Sequence, residues 1–171
     1  HRRPRSACGR PKRHRVNQPG RGGGYDWVAT GPNRDAEAAV LFGNVLRGEA
    51  DYLGRQHPVL PEADGFVKKV KPLVRLGERE MAAYCVLTGI DYIVEECPNA
   101  VGNKHLGYKA ALNAIEEQSP GSKNAFYFGF LARGAAAFAE QTAASKDELV
   151  SCPSCGSPTT NAPTRPWPCS R

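Results

Sequence analysis

The chain has 171 residues, 40% of them hydrophobic and 23% charged, and carries a formal charge of +6. That length suits one domain with a small appendage, and it is enough to bury a core. No apolar run reaches the roughly 18 to 20 residues that span a bilayer, and the opening "HRRPRSACGRPKRHR" lacks the apolar stretch of a secretory signal, so a soluble, cytoplasmic protein with no membrane partner is expected.

Residues 1–24 form a basic N-terminal segment, with Arg2, Arg3, Arg5, Arg10, Lys12, Arg13 and Arg15 crowded ahead of the loop-forming "NQPGRGGG". A second cluster gathers Lys68, Lys69, Lys71 and Arg75. Such clusters attract phosphate backbones by releasing counterions, and the alternative is a solvated tail; charge alone leaves both readings open.

Residues 25–144 carry the regular elements. "YDWVATG" predicts a buried strand over residues 25–30, and Ala38, Leu41, Phe42, Val45 and Leu46 fall at helical spacing up to Gly48. Strand, polar turn and helix in this order predict a parallel α/β unit, with the turn at the carboxyl end of a strand. "FVKKVKPLVRL" reads as extended, since Pro72 opposes a helix. "GEREMAAYCVLTG" reads as a helix with acids in its first turn and Gly89 beyond its end, and "DYIVEECP" as a strand stopped by Pro98. "NKHLGYKAALNAIEEQ" is amphipathic. The next helix is expected to open with Ser119 as N-cap and Pro120 at its first position, burying Phe126, Phe130 and Phe138.

Residues 145–171 hold a linker and a tail rich in Pro, Ser and Thr that cannot build a core of its own. Its "CPSCG" spacing is that of the first half of a zinc knuckle, and Cys169 follows near the end of the sequence in "WPCSR". Cys85, in an apolar helical pattern, reads as a small buried hydrophobe.

In order along the chain, "CGRPKR", "ATGPNRDAEAA", "KVKPLVRLGEREMAAYCVLTGIDYIVEECPNA", "LNAIEEQSPGSK" and the cysteine knuckle resemble the adenine-nucleotide alpha-hydrolase (PP-loop) tRNA thiolases, the group of TtuA, TtcA and cytosolic thiouridylase subunit 1. The resemblance implies an α/β fold with a parallel sheet and flanking helices, followed by a zinc knuckle. It also implies ATP-dependent tRNA 2-thiolation, in which ATP and Mg2+ activate a uridine or cytidine that then receives sulfur. Its partners would be tRNA, with a sulfur-carrier protein and a second copy of the chain as further candidates.

The site residues implied by this resemblance are Cys8 and Cys97 at two of three thiolate positions that hold a [4Fe-4S] cluster in many members, Lys12 as a point charge near the nucleotide or base, Asp35 as the carboxylate of the nucleotide turn, and Gly31 and Asn33 beside it. Cys152, Cys155 and Cys169 would bind zinc. Three departures stand out: Arg5 replaces the first cluster thiolate, Pro32 replaces a histidine, and Ala36 replaces a second aspartate. The S-G-G-x-D-S phosphate loop of the family does not occur in these residues, so the chain resembles a C-terminal portion that is expected to be inactive alone. With two cluster ligands in place, Cys8 and Cys97 could still act as a catalytic pair; the alternative is that both are small buried residues. A non-catalytic RNA-binding or scaffold protein derived from the family is the competing reading.

Overall fold

The computed structural model describes residues 15–16, 22–62, 67–95, 97–100, 102–144, 150–151 and 158–159. They belong to two compact units, one drawn from His1–Ala29, Val59–Val70 and Ser145–Arg171, the other from Thr30–Pro58 and Lys71–Ala144.

The first unit contains a small mixed sheet in the order β1 (Val28–Ala29), β3 (Lys69–Val70), β2 (Val59–Leu60). β1 runs parallel to β3, with Val28 opposite Lys69, whereas β2 is antiparallel, with Val59 opposite Val70. The expected parallel pairing is therefore present, but the sheet is mixed and the strand predicted over residues 25–30 is short. Trp27, just before β1, lies under Lys68, whose Nζ sits 3.5 Å from the ring centroid. This cation–π contact places one of the predicted basic side chains against an apolar surface. A separate antiparallel ribbon pairs β4 (Val150–Ser151) with β5 (Pro158–Thr159).

The second unit is helical. Helix α1 (Arg34–Leu46) starts where predicted because Asn33 has extended backbone and its side-chain oxygen accepts the Ala36 N–H at 2.8 Å. The short α2 (Ala50–Leu53) follows, and Pro72–Arg75 forms a 3-10 turn. Helix α3 (Glu78–Thr88) ends as its sequence predicts: Gly89 adopts φ 68°, a left-handed conformation that costs glycine little. Then come α4 (Lys104–Gln118), α5 (Ser122–Arg133) and α6 (Ala135–Ala144).

Two expectations about helices need correction. The helix expected from Ser119 begins at Ser122, after Gly121 at φ 92°, because Glu116 of α4 reaches forward and accepts the N–H groups of Gly121 (2.9 Å) and Lys123 (2.7 Å). A carboxylate from the preceding helix thus replaces the serine cap. The long helical run also breaks at Gly134, where a Cβ would lie 3.0 Å from Phe130 Cδ2. The strand expected over "DYIVEECP" is absent among the described residues, since residues 91–95 find no neighbouring strand there to take up their backbone hydrogen bonds.

The core lies where α1 meets the later helices: Ala38, Ala39 and Leu41 pack with Leu53, Val74, Leu112 and Tyr127. Phe126, Phe130 and Phe138 close over this cluster, so the aromatics act as packing groups as expected. Phe42 makes edge contacts with Tyr108 and Phe126 at 5.9 and 6.1 Å between centroids. Fully burying a side chain such as Leu41 contributes roughly 1.5 to 3 kcal/mol, so this face of α1 anchors the polar residues on its first turn.

Candidate functional site

At the amino end of α1 one carboxylate–lysine pair links four helices. Asp35 is buried, and its Oδ1 accepts a hydrogen bond from Lys123 Nζ of α5 at 2.6 Å. Its Oδ2 accepts the Glu78 N–H at the start of α3 at 2.5 Å. Lys123 Nζ donates a second bond, of 2.5 Å, to Asn113 Oδ1 of α4. One lysine therefore ties α5 to α1 and α4, and Asp35 ties α1 to α3.

The local sequence prepares this arrangement. Asp35 sits in the first turn of α1, where a negative charge is favoured by the helix dipole, and it also meets the N-terminal N–H of α3. Glu80 of α3 accepts the Gly77 N–H and lies 3.8 Å from Arg34. A Cβ at Gly77 would lie 2.5 Å from Arg34 Nη2, the far end of a flexible side chain that would have to move aside.

A second polar line runs along α1. Glu37, also buried, accepts Lys71 Nζ at 2.6 Å and Gln56 Nε2 at 3.3 Å, and Gln56 Oε1 in turn accepts Asn44 Nδ2 at 3.1 Å. The Tyr127 ring is fully buried beside this line.

The electrostatics follow from these contacts. Burial pushes the Asp35 pKa up, but the hydrogen bonds from Lys123 and the Glu78 N–H, with the charges of Lys123 and Arg34, outweigh it and hold the carboxyl below its usual value. The Glu116 pKa is lowered by the N–H groups of Lys123 and Gly121. Tyr127 is shifted upward, first by burial and then by the Glu37 charge, so its phenol keeps its proton.

Of the residues singled out from sequence, the structure brings Asn33 and Asp35 together at the head of α1, Asn33 as its cap and Asp35 as the anchor of the network. Gly31 is exposed in the preceding turn, with nothing within 4 Å of a would-be Cβ. Cys97 is exposed, directly before the 3-10 turn Pro98–Ala100, and it is no part of the Asp35 network; its expected place at the end of a strand is not observed. Cys85 is only partly buried on α3. Cys8, Lys12, Cys152, Cys155 and Cys169 lie outside the described residues, as does Arg5. Sequence reasoning passed over Lys123, Asn113 and Glu116. Their only signal was the motif "LNAIEEQSPGSK", which contains all three but gives no hint that Lys123 meets a residue 88 positions earlier.

No family profile matches the chain. It is 49% identical over 159 residues to the tRNA-5-methyluridine(54) 2-sulfurtransferase of Thermus thermophilus, covering 92% of this chain and 48% of that protein. The proteins of the same name in Pyrococcus horikoshii and Thermotoga maritima are 45% and 40% identical, over 75% and 91% of this chain and 41% and 50% of theirs. The chain is a homologue of the tRNA 2-thiolation sulfurtransferases. It spans about half the length of these relatives. The fold agrees: the U34-tRNA thiolase NcsA from Methanococcus maripaludis, solved with its [4Fe-4S] cluster, superposes with a TM-score of 0.66 at 22% identity, over 89% of this chain and 48% of that one.

The residues of this chain do not fit a three-thiolate cluster. Such a site needs three soft, anionic sulfur ligands, and under the correspondence that the sequence resemblance implies Cys8 and Cys97 would supply two while Arg5 stands where the third is expected. Among the described residues no three His, Cys, Asp or Glu side chains gather as a metal site. Each Asp35 carboxylate oxygen already accepts one protein donor, Lys123 Nζ on Oδ1 and the Glu78 N–H on Oδ2.

Proposed function

We propose that this chain forms part of a tRNA 2-thiolation enzyme that uses ATP and Mg2+ to activate 5-methyluridine at position 54 of tRNA and then replaces its O2 with sulfur. The carrying observation is the 49% identity to the Thermus thermophilus enzyme across 92% of the chain. The turn around Gly31 and Asn33 would face the nucleotide. Lys12 would stabilise charge on the phosphate during adenylation, and Asp35 would act as a positioning residue that fixes the heads of α1, α3 and α5 around that turn. Cys8 and Cys97 would act as a thiol pair beside the activated base at the sulfur-transfer step, for which the exposure of Cys97 is suitable. A sulfur-carrier protein would supply the sulfur, and a homodimer would be the working form. A cytoplasmic location accords with a 34% identical stretch shared with the cytoplasmic tRNA 2-thiolation protein 1 of Chlamydomonas reinhardtii; no described helix is long and apolar enough to cross a membrane.

The test is a chimera in which this chain replaces the half of the Thermus thermophilus enzyme that it matches. With ATP, Mg2+, sulfide and unthiolated tRNA, nucleoside mass spectrometry should show 2-thio-5-methyluridine, and Cys97→Ser should reduce it to the no-enzyme background. Tight, salt-sensitive tRNA binding with no thiolated product would instead establish the scaffold reading, which the Arg5 substitution favours.

The tail would bind one zinc through Cys152, Cys155 and Cys169, three thiolates suited to that ion. Metal analysis of the purified chain should find zinc near one per chain, and Cys152→Ser with Cys155→Ser should remove most of it. Unchanged zinc in that double variant would rule the tail out.

A further inference from the structure

Glu37 and Lys71 form a buried ion pair to which the thiolation reading gives no task. Their side chains are 6% and 14% exposed, and Lys71 Nζ lies 2.6 Å from Glu37 Oε2. Burying such a pair costs each ion its hydration, and apolar side chains of similar volume often stabilise a fold at least as well. Stability alone therefore does not call for these two residues.

What the pair provides is a fixed path for the chain. Glu37 lies in the first turn of α1, and its N–H donates to Asn33 O at 3.0 Å. Lys71 directly precedes the 3-10 turn Pro72–Arg75, and Leu76 O, just after that turn, accepts the Arg34 N–H at 3.0 Å. Residues 71–76 are thus pinned to the head of α1 at both ends, with Val74 between the pins in the core. Two further bonds close a ring through the end of α2. The Lys71 N–H donates to Pro58 O at 2.9 Å, and Gln56, two residues earlier, donates from Nε2 to the same Glu37 oxygen at 3.3 Å.

We propose that Lys71 is a positioning residue for the thiolation reaction, which through Glu37 holds the turn over residues 31–33 in the place where it meets ATP. The inference rests on the reading that this turn faces the nucleotide, and it deepens that reading by naming a residue outside the turn on which nucleotide affinity depends. A shift of Asn33 carries the Glu37 N–H with it, and a shift of Glu37 strains its bond to Lys71, whose backbone is held in turn by Pro58. Buried ionic groups of this kind can select one arrangement of the chain without adding to its stability.

The test separates position from stability. In the 171-residue chain, Lys71→Met leaves Glu37 charged without its cation, so the thermal transition should fall. Amide exchange at Arg34 and Glu37 should quicken about tenfold more than in the middle of α4. Adding Glu37→Gln removes the stranded charge and should return the transition close to that of the unmodified chain, while Arg34 and Glu37 still exchange fast. The chimera gives the functional readout: binding of trinitrophenyl-ATP, measured without turnover, should weaken about tenfold in both the single and the double variant. A pair that only stabilises would behave otherwise, with nucleotide affinity and slow exchange recovering in the double variant together with the transition, and that result would overturn the proposal. So would a Lys71→Met chain in which Arg34 and Glu37 exchange no faster than α4. Weakened nucleotide binding in a chimera that never thiolates tRNA would count against the proposed activity and leave the positioning role standing. A chimera that binds no nucleotide at all would refute the nucleotide reading of the turn, and this inference with it.

Discussion

Asp35→Ala should destabilise the helical unit by about 3 to 5 kcal/mol, the usual result of removing one partner from a buried ion pair and leaving the other charged. Lys123 would keep Asn113 as an acceptor but lose its counter-charge, and the Glu78 N–H would lose its acceptor as well. Lys123→Met should cost less, because it leaves Asp35 its bond from the head of α3 and adds an apolar side chain of similar length. Asp35→Ala combined with Lys123→Met should be more stable than the sum of the two single changes, and that non-additivity, read from a denaturant cycle, identifies the pair as the coupled unit. Additive effects would show that each residue acts through separate contacts.

The pH dependence of the same pair has a definite sign. The Asp35 pKa is lowered in the folded chain, so the unfolded chain binds the proton more tightly. Its stabilisation should be complete above the unfolded carboxyl pKa of about 4 and should fade as the pH drops through the lower folded value. The stability gap between the unmodified chain and Asp35→Asn should accordingly be flat from neutral pH to about pH 5 and narrow below about pH 4. A gap that grew on acidification would contradict the assigned direction.

Much of the helical unit was legible because its signals are local. Asn33 ahead of an apolar 3.6-residue pattern, acids in the first turn of α3 and Gly89 behind it act within a few residues, and each is found doing what its position implies. The failures involve distant groups. Ser119 had the right chemistry for an N-cap, yet Glu116 reaches the same N–H groups from the helix before. "DYIVEECP" has strand composition, but a strand exists only when a neighbour accepts its hydrogen bonds, and among the described residues none does. The site divides in the same way: motif matching reached Asp35 and Asn33, whereas the partner that sets the charge balance of Asp35 comes from a helix 88 residues later.

Arg5→Cys should give the chain an iron–sulfur capacity that it otherwise lacks. A guanidinium offers five donors and no lone pair for a metal, and with a pKa above about 12 it keeps a positive charge where a cluster needs a thiolate. The unmodified chain, reconstituted anaerobically with iron and sulfide, should retain little iron at this site and show no broad cluster absorption. The variant would place a third thiolate with Cys8 and Cys97, and its iron should rise towards the four atoms of the cluster in the Methanococcus maripaludis structure. The measurement belongs in a background carrying Cys152→Ser and Cys155→Ser, since a Cys-x-x-Cys pair can itself bind iron and would otherwise blur the count. Adding Cys97→Ser to the variant should abolish the gain, and because that thiol is exposed the fold should tolerate its loss. Iron retained equally by the Arg5→Cys variant and by the same background with Arg5 intact would mean that the ligands lie elsewhere in the chain. The correspondence of Cys8 and Cys97 with the cluster positions would then be wrong.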